Sequence, residues 1–140
     1  SINDEANIEA INLKVSSLDD IKMLEGDFIV DAVDDVSAKI AIAQLAQNKD
    51  IPLISSLGMA NRVSPTSVFI TKLNNTTNDP LAKKVRYEMK KAGIDISRIN
   101  VAFSKEEPIK DGTNLNSVMF VPSAAGLNIA SFVFTSLINY

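Results

Sequence analysis

The chain has 140 residues and a mass of 15.1 kDa. With 46% apolar and 22% charged residues, it has the composition of a globular domain that buries roughly 70% of its unfolded surface without a disulfide or metal staple. Fourteen basic against seventeen acidic residues leave a net charge of −3, and there is no Cys and no His. That excludes disulfides, Cys- or His-ligated zinc, thiol nucleophiles and Ser-His or Cys-His pairs, and it leaves any chemistry to carboxylates, Lys, Arg, Tyr, hydroxyls and backbone amides.

The chain opens at Ser1 with no basic, apolar leader. Its most apolar stretch, Ala124 to Ile138, is broken by Asn128, Ser131, Thr135 and Ser136 and is shorter than the ~20 residues of a membrane span. The expectation is a soluble, cytoplasmic protein without a membrane partner, and a piece cut from something longer. Ile8 to Val15 alternates apolar and polar residues, as a half-buried or edge strand does. Ser17 or Asp19 then caps a short helix that stops at Gly26. Phe28-Ile29-Val30 is uniformly apolar between two Asp residues, which predicts a central parallel strand buried on both faces.

Asp34 or Asp35 caps the next helix, which is rich in Ala, Ile and Leu and therefore mostly buried. Ile51 to Ser55 is a second apolar strand, closed by Gly58, and the whole from Asp27 to Ser56 has the order of a βαβ unit. Val68 to Ile70 predicts another strand and Asn74 to Asn78 a polar turn. Asp79-Pro80 starts a helix that runs to Gly93. Asn100 to Phe103 reads as a strand, Lys105 to Asn116 as a polar, mobile loop, and Val118 to Val121 as a short strand before a last helix from Ser123. The fold class is α/β, a Rossmann-like and mostly parallel sheet with flanking helices in a single domain over residues 1–140.

Three segments are candidates for chemistry. Asp31, Asp34 and Asp35 stand where a central strand gives way to a helix, the place where open α/β sheets bind ligands. Three carboxylates repel a bare phosphate unless a divalent cation lies between them, as Mg²⁺ does when held by one or two carboxylates and substrate phosphates. Equally, Asp35 caps the helix, Asp31 ends the strand and Asp34 is merely solvated. Second, the helix from Asp79 to Lys91 has Leu81, Ala82, Val85, Met89 and Ala92 on one side and Lys83, Lys84, Arg86, Lys90 and Lys91 on the other. Its net charge of +3 leaves −6 for the rest. This is either a phosphate-backbone contact with Tyr87 as a stacking platform, or a solvated face. Third, in Ser55 to Arg62, Gly58 permits a close backbone approach and Arg62 reaches an anion, or the segment is a turn whose Arg faces water. The five glycines lie too far apart for a phosphate-cradling turn of the GxGxxG or GxxxxGK[ST] type. The last helix reads as core or subunit interface.

Taken in order, FIVDAVDDVSAK (Phe28 to Lys39), IPLISSLGMANRVSP (Ile51 to Pro65), DPLAKKVR (Asp79 to Arg86), VAFSKEEP (Val101 to Pro108) and FVPSAAG (Phe120 to Gly126) resemble the HesA/MoeB/ThiF family, whose fold is that of the ubiquitin-activating enzymes. DPLAKKVR and FSKEEP look most like its tRNA threonylcarbamoyladenosine dehydratase branch. The resemblance implies an enzyme that uses ATP and Mg²⁺ to adenylate a carboxylate on a tRNA-borne modification and cyclise it with loss of water. It places Asp34 at the family's metal- and ATP-linked aspartate, with Asp31 and Gly58 at the ATP site. Substrate or tRNA would lie near Arg62, Lys83, Arg86 and Lys90. It also implies that the family's leading segment, with its glycine-rich phosphate loop, is not in this chain. The isolated 140 residues are therefore expected to be inactive and to pair with that segment, and the protein to form a homodimer. The alternatives are an activating enzyme for a ubiquitin-like sulfur carrier, whose zinc-bearing branch the absence of Cys argues against, and a non-catalytic assembly fragment.

Overall fold

A computed structural model describes residues 3–109 and 116–138. Strand β1 (Ile29–Asp31) leads into helix α1 (Val36–Lys49) and back through strand β2 (Leu53–Ser56). Strand β3 (Val68–Lys72), helix α2 (Pro80–Lys91), strand β4 (Asn100–Ser104) and helix α3 (Phe120–Leu137) follow, with single 3₁₀ turns at Leu18–Asp20, Pro65–Ser67 and Leu73–Asn75. The sheet order is β1-β2-β4-β3. β1, β2 and β4 run parallel and β3 closes the sheet antiparallel to β4. This is the α/β arrangement and the mostly parallel sheet expected from the sequence.

Side-chain alternation along the strands builds two cores. Leu53, Val101 and Phe103 face one way and pack with Ala43 and Ala46 of α1 and Ala82, Val85 and Met89 of α2. Ile54 and Ala102 face the other way and pack with Val68 of β3 and Val121, Ala125 and Ile129 of α3. Helices thus cover both faces, which is how parallel strands satisfy their apolar side chains. The boundaries of α2 follow the local chemistry. Asp79 accepts from the Ala82 amide at 2.9 Å, Pro80 occupies the first helical position, and Gly93 turns the chain at φ +74°.

Four expectations are corrected. Residues 8–15 join no strand ladder among the described residues; Ile8 is 85% exposed and Ile11 58% exposed. An extended segment is stabilised by a neighbour's backbone, and none of the four strands supplies one. The helix expected up to Gly26 is one 3₁₀ turn, because Asp20 draws the Ser16 and Ser17 amides back onto its carboxylate at 2.9 Å each. β1 is not central but lies at the sheet edge, and Val30 is 49% exposed. The apolar run marks a strand that wants cover on both sides. Along its α3 side runs an open groove of about 540 Å³ lined by Val30, Ile129, Val133 and Phe134.

Lastly, residues 118–121 are not a strand: α3 begins at Phe120, with Ser123 donating to the Met119 carbonyl at 3.1 Å. Pro122 fits because the first helical turn has no use for its missing N–H. Of the polar loop at Lys105 to Asn116, residues 110–115 lie outside the described part. α3 is long and apolar enough, by length and composition alone, to cross a membrane, with a mean hydropathy of 1.4. Its inner side nevertheless packs on β2, β3 and β4 as a layer helix.

Candidate functional site

At the carboxyl edge of the sheet, Asp31 and Ser55 are register partners on β1 and β2. Both are buried, and Ser55 Oγ donates to Asp31 Oδ2 at 2.5 Å. A carboxylate there is tolerated only with a buried counter-charge. Lys39, on the fourth residue of α1 and fully buried, supplies it. Its Nζ donates to Asp31 Oδ2 at 3.0 Å, Ser55 Oγ at 3.0 Å and the Ser56 carbonyl at 2.8 Å, so all three ammonium hydrogens are placed. The other carboxylate oxygen, Asp31 Oδ1, accepts from the Val33 amide at 3.1 Å and shapes the turn that follows.

The three carboxylates of this turn therefore divide their work. Asp31 is engaged by Lys39, Ser55 and Val33. Asp35, not Asp34, is the helix cap and accepts from the Ala38 amide at 2.8 Å. Asp34 is exposed and accepts no hydrogen bond among the described residues. Of the two ATP-site aspartates the resemblance implies, Asp34 faces outward and Asp31 is turned inward.

Just past β2, Gly58 lies against α2: a Cβ there would meet Leu81 at 3.7 Å and Asp79 at 3.9 Å. Arg62, expected either to reach an anion or to face water, does not face water, and the anion it reaches in this structure is the Asp79 carboxylate. It is 3% exposed, donating from Nε to the Glu106 carbonyl at 2.9 Å and from a terminal nitrogen to the Gly58 carbonyl at 2.6 Å. Its second terminal nitrogen pairs with Asp79 Oδ2 at 3.4 Å. Arg62 thus ties the loop after β2, the loop after β4 and the head of α2 together. The Glu106 side chain completes the junction by accepting from the amides of Val63 and Ser64.

On α2, Lys83, Lys84, Lys90 and Lys91 are exposed, and Tyr87 stands among them 64% exposed. Arg86 is half-buried and donates to the carbonyl and hydroxyl of Thr76. Lys83 and Arg86 line an open cleft of about 720 Å³ together with Asn61, Asn78, Asp79 and Glu107. Lys90 lies on the same helix about 10 Å beyond Lys83. The structure therefore brings Lys83 and Arg86 to one cleft, sets Arg62 beneath it, and keeps Asp34 on the separate β1–α1 turn.

Lys39 and Glu106 had no role in the sequence reading. A lone Lys among Ala and Ile residues of a helix with little polar face was the available signal for Lys39. Glu106 lies in the FSKEEP motif, but nothing in its residue type or spacing points to the amides it binds.

The fold is of the open α/β class, in which ligands bind at the carboxyl ends of the parallel strands. No family model matches the chain. It is 35% identical over 131 residues to the tRNA threonylcarbamoyladenosine dehydratase of Bacillus subtilis, a match that takes in 81% of this chain and 51% of that protein. It is 30% identical over 135 residues to tRNA threonylcarbamoyladenosine dehydratase 1 of Saccharomyces cerevisiae, covering 81% of this chain and 31% of that one. Among solved structures, Escherichia coli tRNA N6-threonylcarbamoyladenosine dehydratase in complex with AMP superimposes with a TM-score of 0.80 at 21% identity. Its complex with ATP does so with a TM-score of 0.80 at 22% identity. Each covers 90% of this chain and 55% of the other. The fold is theirs, and the chain is similar in sequence to the tRNA threonylcarbamoyladenosine dehydratases over most of its length. It spans about half the length of the Bacillus relative it matches.

Proposed function

We propose that this chain is the carboxyl-terminal part of an ATP-dependent adenylating enzyme that acts on threonylcarbamoyladenosine in tRNA, with Asp34 as the residue that holds Mg²⁺. The supporting observation is the division of labour in the β1–α1 turn: Asp31 and Asp35 have structural partners, and Asp34 is exposed and accepts no hydrogen bond among the described residues. Hard oxygen is the donor Mg²⁺ prefers, and one carboxylate plus phosphate oxygens and water is its usual set. Among the described residues no group of three His, Cys, Asp or Glu side chains is placed to hold a metal by itself. When bound, Mg²⁺ supplies neutralisation of phosphate charge.

In this reading the substrate carboxylate attacks the α-phosphorus of ATP and releases pyrophosphate. The resulting acyl-adenylate is trapped by a neighbouring nucleophile with loss of AMP. Catalysis is mainly positioning and charge stabilisation, which needs neither Cys nor His. Lys83, Arg86 and Lys90 contribute a basic surface for the RNA backbone. Arg62 and Gly58 act as the scaffold of the loop beside it.

Phosphate-loop residues come from a preceding segment, which docks along the exposed edge of β1. This chain and that segment together make one ThiF-type domain. The outward apolar residues of α3, Leu127, Phe134 and Leu137, suit a homodimer contact, and the protein works in the cytoplasm.

The test is conversion of ATP to AMP and pyrophosphate by the full-length protein, with and without tRNA carrying the threonylcarbamoyl modification. Stimulation by that tRNA is expected, together with no adenylation by residues 1–140 alone. Turnover indifferent to tRNA would replace this substrate with a carrier protein or small carboxylate.

A further inference from the structure

We propose that Lys39 is a positioning residue: it locks the β1–α1 turn and the loop that leaves β2 into one geometry, and so sets where Asp34 stands. The inference rests on the reading of Asp34 given above, and the observations behind it are independent of that reading. A fully buried ammonium is expensive unless every hydrogen is satisfied. Here each one is, and the three acceptors come from two different strands: Asp31 at the end of β1, and Ser55 and the Ser56 carbonyl at the end of β2.

From Asp31 the connection runs onward. Its Oδ2 is held by Lys39 and Ser55, which orients the carboxylate so that Oδ1 receives the Val33 amide at 3.1 Å. Val33 immediately precedes Asp34. From Ser56 the chain continues into Leu57, whose amide donates to the Ala102 carbonyl at 3.1 Å, and then into the Gly58 to Arg62 segment. One side chain thus fixes both loops that leave neighbouring parallel strands at the carboxyl edge of the sheet. Lys39 also neutralises Asp31, so the negative charge Asp34 presents is not raised by a second bare carboxylate three residues away.

A lysine that only stabilised the fold would make the protein easier to melt and leave its metal requirement alone. A positioning lysine changes both the protection of the turn and the metal requirement. The experiment uses the full-length protein and the variants Lys39→Met, Ser55→Ala and Asp34→Asn. Two quantities are followed at a temperature well below unfolding: amide hydrogen exchange at Val33 and Leu57, and the Mg²⁺ concentration for half-maximal ATP turnover.

Lys39→Met should speed exchange at Val33 at least tenfold while amides in the middle of α2 keep their protection, and should raise the Mg²⁺ half-saturation about tenfold. Ser55→Ala, which removes one partner without unpairing the buried charge, should move both quantities in the same direction by two- to threefold. It decides the matter if Lys39→Met does not fold. Unchanged exchange at Val33 and an unchanged Mg²⁺ requirement in the folded variant overturn the proposal. An unchanged Mg²⁺ requirement in Asp34→Asn overturns the reading of Asp34 instead, and the Val33 exchange then still decides whether Lys39 locks the turn.

Discussion

Helices α1 and α2 start in the same way and end up differently equipped. Each is capped by an aspartate, Asp35 on the Ala38 amide and Asp79 on the Ala82 amide. Each has a buried cation-carboxylate pair at its head, Lys39 with Asp31 and Arg62 with Asp79. At α2 one carboxylate does both jobs, and the exposed acidic group nearest it, Glu107, comes from the loop after β4 and not from the turn that starts the helix. At α1 the jobs are divided between Asp31 and Asp35, and the turn between them carries a third carboxylate, Asp34, with neither job. A carboxylate relieved of structural duty at the end of a parallel strand is available to a ligand, and the contrast with α2 makes that visible.

If this contrast is right, Asp79→Ala should be the most damaging change. It removes a helix cap and strands a buried guanidinium in one step, at a cost of about 4 kcal/mol or more. Denaturant unfolding would show it, and a loss below 2 kcal/mol would mean that water reaches Arg62. Lys39→Met should follow at about 3–5 kcal/mol, since it leaves Asp31 buried and unpaired. Adding Asp31→Asn to it should recover part of the loss. Asp35→Ala removes a cap alone, and its expected cost of about 1 kcal/mol should appear as a lower unfolding midpoint.

A smaller effect, with a sign set by pH, is expected at Asp95, far from the site. The Ser97 hydroxyl, followed by the Ser97 amide, holds its carboxyl below the ordinary value of 3.8. A depressed folded value means that the ionised group stabilises the fold above pH 3.8 and that this contribution disappears as pH falls through the folded value. The stability gap between the protein and Asp95→Asn, measured at pH 7, should therefore close on acidification below pH 3.8. Smallest of all, Asp34→Asn should shift stability by no more than about 0.5 kcal/mol.

Most of the fold was legible because its signals are local. Asp79-Pro80 and Gly93 mark both ends of α2, and the apolar runs at Leu53 to Ser55 and Val101 to Phe103 identify the strands that are in fact buried. What local pattern cannot carry is neighbourhood. Ile8 to Val15 alternates like a strand, yet alternation does not supply a pairing partner. Phe28 to Val30 is apolar enough for a central strand and sits at an edge. At the candidate site, Lys83 and Arg86 stand out by residue type and helical position, and Asp34 stands out only through the family resemblance. The roles of Lys39, Arg62 and Glu106 depend on contacts with residues 8, 17 and 44 positions away, and spacing alone does not reveal those.

The most direct test of the account is the Mg²⁺ titration of ATP turnover by full-length Asp34→Asn beside the unsubstituted protein. The account predicts Mg²⁺-dependent turnover lost in the variant while its unfolding midpoint stays in place. Titration curves that superimpose would contradict it, and would make Asp34 a solvated residue between a buried ion pair and a helix cap.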